Sequence, residues 1–262
     1  MAQINAQVPG AELVPINLDL SDLVSVAAAA AAAREAAPVL DILMNNAGIM
    51  APPLRRSAQG FELQIATNHL GHFALTAQLL PSLLAAASAR VVTTSSGAHR
   101  VGTIDHVDLT WQTRKYHPWR AYGQSKLANL LFTLELQHRA EFASAPLLAL
   151  AAHPGYAATH LQSAQSRLSK GTLEARFMAV GNKLFAQPAE MGALPQLYAA
   201  TAPGVIGGTY FGPDGRGEMR GYPAIAGRSK TAQDSTDAAW LWQESERLTG
   251  VTVAFPPMSS ER

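Results

Sequence analysis

Apolar and polar positions change period along the chain, between short apolar runs and longer stretches of helical spacing. Leu13, Val14 and Ile16 make residues 11–17 a predicted buried strand after the Pro9-Gly10 turn. Ser21 is placed to cap a helix that runs through the alanine block to about Ala37, where Pro38 stops it. Residues 39–44 read as a second strand, with Asp41 at its entry. Beyond the Pro52-Pro53 loop, Phe61, Ile65, His69, His72, Phe73 and Leu80 recur at helical spacings and predict one long helix over 57–84. Pro81 is expected to bend it or to open its final part.

Residues 90–94 and 147–152 are further apolar runs and predicted strands. Between them, 97–118 is a long irregular connection, and loops of that length in compact domains are commonly functional. A helix is predicted from Pro118, a favoured first-turn residue, to Arg139, burying Leu127, Leu130, Leu131, Leu134 and Leu136. Residues 159–185 are amphipathic and suit a lid, 189–200 suit a helix, and 207–211 a short strand among glycine turns. A last helix fits 234–248, ended by Thr249-Gly250. Strands alternating with helices imply βαβ units, hence an α/β fold on a parallel sheet in one domain spanning 1–262.

Composition narrows the function. A net charge of +1, with no basic cluster longer than Arg114-Lys115, argues against nucleic acid as a partner. The absence of cysteine excludes disulfides, thiolate metal sites and cysteine nucleophiles, and the eight histidines have no metal-ligand spacing. The longest apolar run near the N-terminus, 26–33, is too short to span a bilayer and lacks a signal-like context. A cytoplasmic protein without a membrane span is the expectation.

The candidate chemistry centres on Tyr122 and Lys126, four apart and so on one helix face. An ammonium beside a phenol favours the phenolate, so the tyrosine is expected to fall below its free pKa of about 10 and to serve as a general acid or base. Alone, that spacing more often marks a surface lysine. Four further stretches accompany it: Asn45-Asn46-Ala47-Gly48 after one strand, Asn68-His69-Leu70-Gly71 in a helix, Ser95-Ser96-Gly97 after the next strand, and His153-Pro154-Gly155 with Thr159 after another.

In this combination and order the chain resembles the short-chain dehydrogenase/reductase family. Residues 68–73, 122–132 and 153–159 are most similar to its retinol dehydrogenase and WW-domain oxidoreductase branch. The resemblance implies a Rossmann-like, doubly wound parallel sheet and hydride transfer between NAD or NADP and an alcohol, aldehyde or ketone. It favours NADP. By the same resemblance Tyr122 supplies the proton, and Lys126 lowers its pKa and binds the nicotinamide ribose. Ser96, rather than Ser95, hydrogen-bonds the substrate oxygen, and Asn68 holds a proton-relay water. Asn46, Ala47 and Gly48 lie at a strand's carboxyl end, where such sheets bind ligands, and Gly48 lets the backbone approach a cofactor. Asp19, with Leu20, resembles the adenine contact. Pro154, Gly155, the backbone of Ala157 and the Thr159 hydroxyl correspond to the grip on the nicotinamide carboxamide. Trp111, Tyr116, His117 and Trp119 read equally as the wall of a pocket for a bulky apolar substrate or as a packed rim. The family's common homodimer face corresponds to the helices at 57–84 and 118–139.

One departure stands against these matches. The family's T-G-x-x-x-G-x-G turn is missing, since the first glycine is Gly10 and the next Gly48. The pattern therefore reads as an N-terminally truncated sheet lacking its first two strands, with the gap between the strands at 11–17 and 39–44, and with weakened cofactor binding. A catalytically impaired scaffold acting as a binding or regulatory protein is the alternative. A sugar-nucleotide epimerase also uses Y-x-x-x-K, but the Asn45–Gly48 stretch and the short C-terminal part argue against it.

Overall fold

The computed structural model describes residues 1–156 and 187–255. A five-stranded sheet in the order β1-β2-β3-β4-β5 forms its centre. The strands are β1 (Ile42–Asn45), β2 (Ala89–Thr94), β3 (Leu147–Ala152), β4 (Tyr210–Pro213) and β5 (Pro223–Ile225). The first four are parallel and β5 returns antiparallel to β4. The α/β, Rossmann-like reading holds. β5 was not expected, and β4 starts later than 207 because Gly208, at φ 76°, turns the chain before the ladder begins.

The helices are α1 (Ala2–Gln7), α2 (Leu23–Ala36), α3 (Leu63–Ile65), α4 (Gly71–Leu84), α5 (Pro118–Phe142), α6 (Ala189–Thr201) and α7 (Ser235–Thr249). Successive strand residues face opposite sides of a sheet. Thus Val91 and Ala149 pack under α4 and α5, whereas Val92, Leu150 and Phe211 pack with Ala199 and Ala200 of α6.

Residues 11–17 form no strand, contrary to the hydrophobic pattern. A strand exists only through a neighbour's hydrogen bonds, and among the described residues β1 pairs with β2 alone. Val14 is left 66% exposed, and on the outer strand β1 Ile42 is 43% exposed. The cap of α2 is Asp22 and not Ser21. Asp22 accepts from the Val24 N–H at 3.0 Å, while the Ser21 N–H and hydroxyl both turn back to the Asp19 carboxylate, at 2.9 and 2.7 Å.

The single helix expected over 57–84 is three pieces. Ser57 to Phe61 closes a turn, and the buried Glu62 carboxylate caps the helix start, accepting from the Ile65 N–H at 2.9 Å. α3 then passes into a π-helical turn, Ala66–Leu70, in which the Gly71 N–H reaches back to Ala66 O, before α4 resumes. Such turns recur at functional sites, and this one contains Asn68. Gly71 is required where it stands, because a Cβ there would lie 2.3 Å from Leu20 O.

α7 covers the face between α4 and α5. Trp242 lies edge-on to Phe73 (5.2 Å) and stacked on Phe132 (5.9 Å), with the Arg139 guanidinium 4.5 Å above its ring. The chain's own last helix therefore packs on the two helices assigned to homodimer pairing. Trp242→Ala is expected to cost about 3–5 kcal/mol of stability, measured by urea denaturation. A loss below about 1 kcal/mol would contradict this packing.

Candidate active site

Because β1, β2 and β3 run parallel, their carboxyl ends, Asn45, Thr94 and Ala152, deliver the segments at 46–48, 95–97 and 153–155 to one edge of the sheet. α5 crosses beneath that edge. A glycine pair brings it in, since a Cβ on Gly102 would stand 2.3 Å from Gly123 O, and one on Gly123 would stand 2.9 Å from Ala98 O. Backbone-to-backbone contact of this kind sets the turn after Ser96 against the helix one residue from Tyr122. Gly102→Ala is expected to force the two apart, costing about 1–3 kcal/mol. A variant with an unchanged denaturation midpoint would refute this.

Tyr122 is buried, with Ser96 beside its hydroxyl. Burial raises the phenol's pKa and the Ser96 hydrogen bond pulls the other way. The direction is opposite to the fall expected from Y-x-x-x-K. The reason is tertiary: the Lys126 ammonium meets the ring face, 5.7 Å from its centroid, and burial depresses Lys126 itself to about 8. Lys126 Nζ donates to Thr94 O at 3.2 Å, a carbonyl it shares with Asn129 Nδ2 at 2.9 Å.

Asn68 is fully buried and its side chain makes three hydrogen bonds. Oδ1 accepts from the Ile49 N–H at 2.8 Å, while Nδ2 donates to Ile49 O and to Ser125 Oγ, both at 2.9 Å. Ser125 Oγ in turn donates to Tyr122 O at 2.8 Å. Asn68 thus ties the loop after β1 to the Tyr122 helix. Ser125 and the Gly102/Gly123 contact were not assigned roles from sequence, and nothing local in the chain marks them. His72 Nδ1 donates to Asn68 O at 3.0 Å.

The structure brings Asn68, Ser96, Tyr122, Lys126 and Gly48 together. Asn46 and Ala47 are exposed at the same sheet edge. Asp19 is exposed, its carboxylate engaged by Ser21 and its pKa lowered by those bonds. Leu20 is buried with its carbonyl against Gly71. Pro154 and Gly155 close the third turn, where Pro154 O accepts from Gln187 Nε2 at 2.7 Å. Ala157, Thr159 and the proposed lid at 159–185 lie outside the described residues.

The aromatic group before α5 divides. Trp111 is buried under the Arg114 guanidinium, 3.6 Å from its centroid. Tyr116 donates to Pro52 O at 2.9 Å and is held by Gln64 and Glu62, and His117 caps α5. Trp111 and Tyr116 are packed rim, and His117 is an exposed helix cap. Trp119 is different, 42% exposed and edge-on to Tyr122 at 6.1 Å.

Gly48 and Lys126 bear on the fit of a nicotinamide cofactor. Gly48 has no Cβ where one would come 2.9 Å from Asn68 Oδ1 and 3.5 Å from Lys126 Nζ, so open backbone borders the ammonium. Lys126 has three donors, and Thr94 O is the one acceptor it meets among the described residues. A ribose with two hydroxyls suits that arrangement. The pyrophosphate end is less well served, because these 262 residues contain no T-G-x-x-x-G-x-G turn. Among the described residues no group of three or more His, Asp or Glu side chains is placed to hold a metal, and no helix is long and apolar enough to cross a membrane.

Fold and site together define a Rossmann-like α/β scaffold with a tyrosine, lysine and serine at the carboxyl edge of the sheet. The short chain dehydrogenase family model matches residues 1–168, and the chain belongs to that family. It is 40% identical over 237 residues to human (Homo sapiens) retinol dehydrogenase 13, covering 90% of this chain and 68% of that protein. A crystal structure of a protein from Mycobacterium Paratuberculosis is 43% identical with a TM-score of 0.77, covering 97% of this chain and 82% of the other. The NADPH-bound carbonyl reductase from chicken fatty liver, 23% identical with a TM-score of 0.53 over 80% of this chain and 77% of its own, shares the fold.

Proposed function

We propose that the chain is an NAD(P)-dependent oxidoreductase, built as one cofactor-binding domain, that interconverts an alcohol and its aldehyde or ketone. The observation that carries the reading is the meeting of the buried Tyr122 and Lys126 with the half-buried Ser96 at the strand ends. A bound nicotinamide supplies or receives the hydride. Ser96 donates a hydrogen bond to the carbonyl oxygen, and Tyr122 delivers the proton that the developing alkoxide needs. Lys126 holds the ribose hydroxyls and places positive charge beside the phenol. Asn46–Gly48, Pro154 and Gly155, together with Ala157 and Thr159, line the cofactor. Asp19 and Leu20 serve its adenine end. Asn68 fixes Ile49 and Ser125 and holds the relay water. NADP is preferred to NAD, on the likeness to the retinol dehydrogenase branch.

Trp119 is the wall of an apolar substrate pocket, so the substrate class is a bulky apolar alcohol or aldehyde. Trp119→Ala is expected to lower kcat/KM for a bulky aromatic aldehyde by about 10-fold or more, the scale of one hydrophobic contact (about 1–3 kcal/mol), while sparing a short aliphatic one. Equal losses for both would exclude a specificity role.

The missing Gly-rich turn favours a second reading, a scaffold that binds cofactor poorly and acts through a partner. Fluorescence titration with NADPH and NADH, beside a thermal melt, separates the two. Binding weaker than micromolar that still raises the melting temperature is the expected result for the enzyme. No binding at millimolar cofactor would favour the scaffold, and full micromolar binding would overturn the weakened affinity.

A further inference from the structure

The segment 218–229 joins two turns of the site. Glu218 has a backbone φ of 56°, in the left-handed region that side chains other than glycine rarely adopt. Such strain persists where the surroundings over-determine it. Here the carboxylate does so. Oε1 accepts from the Gly227 N–H at 2.7 Å, and Oε2 lies 3.5 Å from Arg100 and 3.3 Å from His153 Nε2. Arg100 also donates to Gly227 O at 2.8 Å. His153 Nδ1 accepts from the Gly155 N–H at 3.2 Å, so the ring proton belongs on Nε2, facing Glu218 as a charge contact off the line of a good hydrogen bond. The neighbouring Met219 O accepts from the Tyr156 N–H at 2.7 Å, and a Cβ on Gly155 would come within 2.5 Å of it.

The same segment reaches the other turn through His99, which is buried and edge-on to Tyr210 at 5.8 Å. Its Nε2 accepts from the Ser229 N–H at 3.2 Å, which leaves the proton on Nδ1 to be donated to Ser96 O at 2.7 Å. A backbone N–H can only donate, so this tautomer follows from geometry. Burial lowers both imidazoles, His153 to about 4, and both are neutral near pH 7.

Resting on the reading of Ser96 and Gly155 as site residues, we infer that His99 and Glu218 are positioning residues that latch the Ser96 turn and the Gly155 turn to one strap, 218–229, and so hold the two at a fixed spacing. Neither touches the reacting atoms. Both act through backbone groups, Ser96 O on one side and the Gly155 and Tyr156 N–H groups on the other.

Long-range proton–nitrogen spectra of the cofactor-free protein read the tautomers directly. The expected result is Nδ1–H for His99 and Nε2–H for His153 at pH 7. Glu218→Gln keeps an acceptor for Gly227 but removes the charge facing His153, and His153 should then titrate at still lower pH. His99→Phe keeps the ring shape and loses both bonds, whereas His99→Asn can retain the donor to Ser96. With NADPH and benzaldehyde as the probe pair, His99→Phe and Glu218→Gln are each expected to lower kcat by about 10-fold or more, the scale of a small misplacement, with His99→Asn recovering part of the loss. Nε2–H on His99, or an unshifted His153 titration in Glu218→Gln, would overturn the inference. Its failure is separable from that of the functional reading: full turnover by Ser96→Ala sinks the latter, and the nitrogen spectra judge the former whatever the turnover.

Discussion

Tyr122→Phe is expected to lower turnover by about 10²–10⁴-fold, the range that a positioned acid or base contributes. Fold and cofactor affinity should be retained. The phenylalanine keeps the ring under Trp119 and the aryl face under Lys126, and removes only the hydroxyl beside Ser96. The check is kcat for NADPH-dependent carbonyl reduction beside an NADPH titration and a melt. A variant with parental kcat would remove Tyr122 from the chemistry. One that loses cofactor affinity in step with kcat would make it a binding residue instead.

Lys126→Met is expected to abolish measurable turnover and to stabilise the protein. Burial takes this lysine from 10.5 down to about 8, a depression equivalent to about 3 kcal/mol. The folded state binds its proton more weakly than the unfolded state does. Below about pH 8 both states are protonated and the native state carries the whole penalty. As pH rises from about 8 to about 10.5 the native state releases the proton first, the unfolded state holds more protons, and stability rises with pH. The variant lacks that penalty. Its advantage should reach up to about 3 kcal/mol at pH 7 and shrink above pH 8, as read from urea midpoints across pH. An unchanged or lowered stability at pH 7 would mean that the Thr94 carbonyl and the ring face compensate the buried charge fully. A buried ammonium kept at that cost fits a functional residue better than a structural one.

What could be read from the chain followed from how local each feature is. β2, β3, α6 and α7 fell close to their expected bounds because their periodicity and caps, such as Asp234 and Gly250, lie within the element. The candidate site was legible because its residues sit at strand ends or one helical turn apart. Residues 11–17 misled because strand formation depends on a partner that the pattern does not contain. The π turn at Ala66–Leu70 escaped notice because one extra residue per turn barely disturbs a helical period. Ser21 and Asp22 are both good caps, and Asp19 decided between them by engaging Ser21. The direction of the Tyr122 shift, the Gly102/Gly123 contact and the homodimer face are tertiary facts. Each depends on which distant segment arrives, as α7 does on α4 and α5.

Hydride transfer from nicotinamide to a carbonyl carbon, with Tyr122 supplying the proton, is read out by isotope transfer. The 262-residue protein would be incubated with millimolar NADPH deuterated at the nicotinamide C4 and a panel of apolar aldehydes, and the alcohols analysed by mass spectrometry. Deuterium is expected on the carbinol carbon with the parent protein and none above background with Tyr122→Phe. Cofactor that binds, raising the melting temperature, yet leaves no deuterium in any product would contradict it.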